Sequence, residues 1–253
     1  MSLYLIDIGL GDADDITLKG LELAKKADKV YLEHYTSVLN CPVTELEKVI
    51  GKKIELANRE TIEQNPEITI LSAAAEGDAA LLVIGDPLVA TTHIDLLQRA
   101  RKANIPVEVV HNASVASAIG ATGLQVYKFG KTASIPFPAK DEPAETPYHI
   151  LAGNQKIGAH TLFLLDLTPG ENKFMSVNDA IDYLLKLEMN LGAKLFTRDT
   201  LCIGCARLGA KDQLIKAGKA KDLAKVDFGK PVHCLVVPGK LHFMEEEMVA
   251  AWK

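Results

Sequence analysis

The residues of this chain that could do chemistry fall at two glycine-bearing strand ends and in one cysteine pair. Gly85-Asp86-Pro87 follows the apolar run Ala79 to Ile84, and Gly9-Leu10-Gly11 follows another at residues 3–8. Glycine opens backbone angles closed to other residues, and proline fixes its own φ. Both stretches therefore read as stiff turns at the carboxyl ends of strands, where open α/β sheets hold adenosine-type ligands. Neither spells a phosphate cradle: G-x-G-x-x-G would need glycine at position 14, where Asp14 stands, and no G-x-x-x-x-G-K-[ST] occurs. Cys202-Ile203-Gly204-Cys205 has a zinc or redox spacing. No second such pair or histidine pair follows it, so buried core thiols are expected and no metal site.

The elements that must position these residues alternate. A strand at 3–8 leads to an amphipathic helix opened by Asp14-Asp15-Ile16-Thr17, with Asp15 as cap, running to about Ala27. Lys29 to Glu33 is a second strand, Thr44-Glu45-Leu46-Glu47 spells a capping box, and Lys53 to Leu56 is a short strand. Asn65-Pro66 offers a cap and a first-turn proline for a helix through Ala75. Ala79 to Ile84 suits a strand buried on both faces. A helix from Thr92 to Lys102, with Thr92 as cap and Asp95 reaching back, precedes a strand at Val107 to Val110. The expectation is a parallel sheet with helices on both faces.

After Val115 to Gly123, read as a close-packing helix, four prolines within 136–147 mark a connector. The alternation then restarts. Strands are expected at His160 to Leu167, Thr200 to Ala206 and Val232 to Val237, with a Ser176-capped helix to about Met189 and a closing helix from Leu241 to Trp252. The reading is two α/β domains, 1–112 and 113–253, the second with a mixed sheet.

Composition narrows the partners. Hydrophobic residues make up 48%, charged residues 24%, and the net charge is −5 with no run of five basic residues. A nucleic-acid partner held by a broad phosphate-binding surface is not expected. No apolar stretch reaches the roughly 20 residues that span a bilayer, so no membrane role is expected. Met1 leads straight into a strand-like run without a basic leader, which points to a cytoplasmic protein.

Asp7-Ile8-Gly9-Leu10-Gly11 imitates the D-x-G-x-G loop of Rossmann-like methyltransferases, with Glu33 as ribose acid, although Ala13 stands where those enzymes carry a third glycine. A more specific set of motifs runs from end to end. It comprises Gly9-Leu10 with Asp15-Ile16-Thr17-Leu18-Lys19-Gly20-Leu21, Tyr35-Thr36-Ser37, and Gly85-Asp86-Pro87-Leu88-Val89-Ala90-Thr91-Thr92-His93. Ser114, Gly123-Leu124, Tyr127-Lys128-Phe129-Gly130-Lys131 and Val237-Pro238-Gly239-Lys240-Leu241-His242 complete it. In these motifs the chain resembles the diphthine synthases of the tetrapyrrole-methylase-like group, and its length resembles their archaeal members.

That resemblance implies a two-domain tetrapyrrole-methylase-like α/β fold, with S-adenosyl-L-methionine folded into the cleft between the domains, and a homodimer. The implied reaction trimethylates the amino group on a modified histidine of translation elongation factor 2, giving diphthine and S-adenosyl-L-homocysteine. The implied cofactor positions are Leu10, Asp86, Val89, Ser114, Val115, Leu165, Leu208 and His233. Asp7 departs from the family, whose members commonly have glycine there, and would crowd the cofactor or bind a polar part of it. No catalytic residue is assigned: an activated methyl group needs mainly an aligned neutral amine. Asp86 or Asp166 are candidates to take the proton, Lys128, Arg207 or Lys240 to hold the substrate carboxylate, and His93 or His242 to touch substrate. The alternatives are a corrinoid or porphyrin precursor methyltransferase, disfavoured by only five arginines, and a non-catalytic adenosine-ligand-binding protein on the same fold.

Overall fold

The structure, a computed structural model, describes residues 1–139 and 142–253. Lys140 and Asp141, inside the proline-rich connector expected at 136–147, lie outside the described residues. The chain divides into two compact units, one of residues 1–116 with 209–211, the other of 117–208 with 212–253.

In the first unit the elements run β1 (Ser2–Asp7), α1 (Leu18–Lys26), β2 (Lys29–Glu33), α2 (Val43–Ile50), β3 (Glu55–Ala57), α3 (Ile70–Glu76), β4 (Asp78–Val83), α4 (His93–Lys102) and β5 (Val107–Val110). The sheet order is β3-β2-β4-β1-β5, every pairing parallel. Alternation along the strands splits the core in two. Tyr4, Ile6, Val30, Leu32 and Leu82 pack with Ala24 of α1 and Leu46 and Ile50 of α2 on one face. Leu3, Leu5, Leu81 and Val83 pack with Ile70 and Ala74 of α3 and Leu96 and Ala100 of α4 on the other. The strands are apolar on both sides because both sides are covered.

Several expected helix starts differ. Thr17, not Asp15, caps α1, its hydroxyl accepting the Gly20 N–H at 3.0 Å. Asp15 ends a short 3-10 turn instead, and its carboxylate takes the Gly11 N–H at 2.7 Å. The capping box at Thr44 does not form. Pro42 stands at the cap of α2, and Glu47 reaches forward to the Ile54 N–H at 3.1 Å. Asn65 makes no side-chain cap, and Pro66 opens a 3-10 turn ahead of α3. Thr92 precedes α4 but makes no side-chain cap; its hydroxyl donates to Glu63 at 2.7 Å, while Asp95 turns to Arg99 at 2.7 Å. Asp15, Glu47 and Asp95 are drawn off to competing local partners, and Thr92 alone to one distant in sequence, Glu63.

A short helix α5 (Val115–Ala118) continues as a 3-10 turn to Thr122. The second unit then runs β6 (Ala133–Ile135), α6 (Thr146–Lys156), β7 (Thr161–Leu165), β8 (Leu167–Thr168), β9 (Lys173–Phe174), α7 (Val177–Leu191), β10 (Leu201–Ala206), β11 (Leu214–Lys219), α8 (Ala220–Leu223), β12 (His233–Val237) and α9 (Phe243–Ala251). Its main sheet, β11-β10-β12-β7-β6, is mixed, with β6 and β7 parallel and the other pairs antiparallel. α7 begins with a full Ser176–Asp179 capping box and lays Ile181, Leu184 and Leu187 into a core with Phe163, Phe196 and Leu235. Gly204 of β10 allows a close approach: a Cβ there would lie 2.4 Å from the Phe228 ring. Cys202 and Cys205, three apart on a strand, point to opposite faces and are fully buried, so they cannot grip one ion together.

Candidate active site

The first unit has one place where its topology makes a crevice. β1 and β4 are neighbours, yet β1 hands the chain to α1 on one face and β4 to α4 on the other. Loops that leave adjacent parallel strands toward opposite faces open a gap at the carboxyl ends, the usual ligand position in such sheets. The loops there are Ile8 to Asp12 and Ile84 to Ala90.

The two loops hold each other. Gly85 N–H donates to the Gly9 carbonyl at 2.9 Å, and both glycines have left-handed backbones, φ +83° at Gly9 and +86° at Gly85. A side chain at either position would be strained. Asp86 is buried; its Oδ1 accepts the Leu88 N–H at 2.9 Å, and His111 Nδ1–H donates to its Oδ2 at 2.6 Å. Val89 N–H returns to the Asp86 carbonyl at 3.1 Å, leaving the Val89 side chain half-buried. Leu10 is half-buried, with its carbonyl taking the Asn40 amide at 2.9 Å. Beyond β5, Ser114 is buried and Val115 starts α5. Asp7, at the end of β1, has its carboxyl pushed up to about 7, first by burial and then by the charge of Asp86, against the Gly9 N–H and His111.

In the second unit the register does a similar thing. Cys234 of β12 pairs with Leu164 of β7, and His233 pairs with Ala206 of β10. Leu165, His233 and the start of the loop carrying Leu208 therefore share one end of that sheet, all three buried. His233 Nε2–H donates to the Lys230 carbonyl at 2.9 Å, and burial lowers its pKa, so its Nδ1 is a lone-pair acceptor, without a partner in the structure.

Other candidates have structural employment. Glu33 is fully buried with both oxygens engaged, by the N–H groups of Tyr35 (3.0 Å) and Thr36 (2.7 Å) and by the Thr36 hydroxyl (2.7 Å). Wholly buried, it braces the turn after β2. Asp166 accepts from Phe137 N–H and Leu167 N–H, both at 3.0 Å. His93 is buried, donating Nδ1–H to Pro87 at 3.0 Å, and so stiffens the Gly-Asp-Pro turn. Lys128 pairs with buried Glu245, which also receives His160 Nε2 at 3.0 Å and the Gln125 N–H at 2.9 Å. His242 completes the knot as the cap of α9. Arg207 is tied to Asp212 at 2.9 Å and to the Phe228 carbonyl at 3.0 Å. Of the three proposed cations Lys240 alone is exposed, and its side-chain ammonium makes no hydrogen bond or ion pair among the described residues, although its backbone is held by Gly158 and Lys128. The residue that sequence reasoning passed over is His111; its signal was a polar side chain directly after the strand Val107 to Val110.

With that geometry in hand, the comparisons with known proteins are direct. The chain belongs to the tetrapyrrole (corrin/porphyrin) methylase family, whose model matches residues 2–224. It is a methyltransferase, and within that class it stands with the diphthine synthases. It is 46% identical over 248 residues to the diphthine synthase of Methanocaldococcus jannaschii, covering 97% of this chain and 96% of that one. It is 43% identical to the diphthine methyl ester synthase of Dictyostelium discoideum, covering 98% and 96%. A crystal structure of diphthine synthase matches with a TM-score of 0.90 at 35% identity, covering 100% of this chain and 96% of that one.

Proposed function

We propose that this chain is an S-adenosyl-L-methionine-dependent N-methyltransferase of diphthamide biosynthesis. Its substrate would be translation elongation factor 2 bearing a modified histidine, whose amino group is trimethylated to give diphthine. The observation that carries the reading is the end-to-end similarity to the M. jannaschii diphthine synthase, at 46% identity.

The residues present suit the donor. An adenosine with a methionine arm is largely apolar, with a few polar points. Leu10, Val89, Val115, Leu165 and Leu208 supply apolar contact. Ser114, Asp86, and the unpartnered buried atoms His233 Nδ1 and Asp7 Oδ2 supply polar points. When bound, S-adenosylmethionine brings a methyl group already made electrophilic by its sulfonium charge. The chain has then to hold a neutral amine in line at near-attack distance and accept its proton. The Asp86–His111 pair, its imidazole exposed at the crevice loops, is the proton acceptor we favour, and Lys240, its side chain unpaired among the described residues, the partner for the substrate carboxylate. We take the protein to act in the cytoplasm as a homodimer; no described helix is long and apolar enough to cross a membrane.

A second reading is favoured by one observation, the 43% identity to a diphthine methyl ester synthase. On that reading the same site adds a further methyl group to a carboxylate. A macrocycle substrate fits less well, since of the few arginines Arg99 and Arg207 are already paired with Asp95 and Asp212. Calorimetry of the protein with S-adenosylhomocysteine tests the cofactor claim. Saturable binding supports it, and no heat at millimolar ligand refutes it.

A further inference from the structure

Asp7 was counted above only as a polar point for the donor, and its setting calls for a more specific role. It is the last residue of β1 and is wholly buried. Its Oδ1 accepts the Gly9 N–H at 2.7 Å, while its Oδ2, also buried, meets no donor in hydrogen-bond geometry, the Asn112 N–H acting on the carboxyl only as a nearby dipole. Leu3 and Leu5 face α3 and α4, so strand alternation turns Asp7 to that same face, with Val83 of β4 opposite it in the ladder. Asp7 thus ends β1 beside the crevice between the β1 and β4 loops, and Asp86 is the charge that acts on it from the second loop.

An orphaned, buried carboxyl oxygen is costly to leave without a partner. Two carboxyl groups sharing a buried crevice also oppose each other's ionisation, so the pair takes its second negative charge only reluctantly. A cation entering the crevice removes that reluctance, whereas a neutral ligand does not. The donor in the proposed reaction carries a sulfonium charge at the reacting sulfur; the product keeps the same ammonium and carboxylate but has an uncharged thioether there.

We infer that Asp7 is a specificity-determining residue that reads the charge of the cofactor, its carboxylate acting with Asp86 to favour the methyl donor over the spent product. The inference rests on the cofactor reading given above. The groups acting electrostatically on Asp7 are Asp86 from the β4 loop, which raises its pKa, and His111 from the end of β5, which lowers it; the Gly9 and Asn112 N–H groups also lower it. With the carboxyl near 7, the charge reader switches on across neutral pH. Cation binding is coupled to loss of the Asp7 proton, so donor affinity rises with pH, and product affinity stays level or falls.

The test is calorimetry of the intact protein with S-adenosylmethionine and, separately, S-adenosylhomocysteine, from about pH 6 to about pH 8.5, a range that brackets the titration. The expected result is a rise of about tenfold in the ratio of donor to product affinity across that range, the size of a modest charge–charge interaction. Asp7→Asn keeps an acceptor for the Gly9 N–H and loses the charge; it should bind both ligands with a ratio flat in pH. Asp7→Ser is the second variant should the first not fold. A pH trend of the ratio equal in wild type and variant belongs to another group and overturns the inference. So does a flat ratio in the wild type when both ligands bind, and this leaves the cofactor reading standing. Failure of both ligands to bind at any pH removes the cofactor reading and the inference together.

Discussion

Asp86 is where the local and the functional arguments meet. One oxygen shapes the turn through the Leu88 N–H, and the other holds His111. Asp86→Ala removes both, and S-adenosylhomocysteine affinity measured by calorimetry should fall by tenfold or more, about 1.4 kcal/mol. The same change removes a like charge from Asp7, so the Asp7 carboxyl, followed by carbon-detected NMR, should titrate lower than about 7. Glu245 makes a different kind of prediction. Although burial pushes its carboxyl up, Lys128, the N–H groups of Gln125 and His242, and His160 pull it down to about 2 from the usual 4.5. A depressed carboxylate stabilises the fold above its unfolded value and loses that stabilisation as pH falls toward its folded one. Acid unfolding should therefore steepen between pH 4.5 and about 2. Glu245→Gln, which leaves half-buried Lys128 without its counter-charge, should cost roughly 3 kcal/mol in urea unfolding and flatten that limb. At this scale the Gly-Asp-Pro turn was readable because its residues are adjacent. The Lys128–Glu245 pair was not: its partners are 117 positions apart, and a lysine beside a glycine loop reads equally as a ligand for a substrate carboxylate.

Elements were legible in proportion to how far burial dictates their pattern. β4 is covered on both faces and shows a continuous apolar run, and α7 announces itself with Ser176 and Asp179. β11 went unread because Leu214–Lys219 is the edge strand of its sheet, with only Ile215 and Ala217 buried and two exposed lysines and a glycine breaking the apolar pattern. α6 was hidden by proline. Pro147 reads as a connector residue, yet it lies in the first turn of the helix, where its missing N–H costs nothing. Sheet packing yields a sharp prediction at Gly204, where Phe228 and Val177 already fill the space of a Cβ. Gly204→Ala should destabilise by about 1–3 kcal/mol in urea unfolding, with the β10–β12 amides losing hydrogen-exchange protection first. If the variant is as stable as the parent, the packing described for β10 is wrong.

For the molecule as a whole, two sheets of different design bring candidate residues to one end each. In the parallel sheet the crossover pattern does this, and in the mixed sheet the antiparallel register of β7, β12 and β10 does it. Local pattern predicts a strand's presence but not its neighbours, so the gathering of Leu165, Leu208 and His233 could be expected from resemblance and not from spacing. Net charge of −5 and the scarcity of free arginine point away from polyanionic partners and suit a protein substrate presenting an amine. The most direct measurement of the central claim is mass spectrometry of elongation factor 2, isolated with the unmethylated aminocarboxypropyl histidine, after incubation with this protein and S-adenosylmethionine. The account predicts that the histidine-bearing peptide gains the mass of three methyl groups; a fourth would assign the ester-forming reading. An unchanged peptide, with the protein folded and the methyl donor bound, would contradict it.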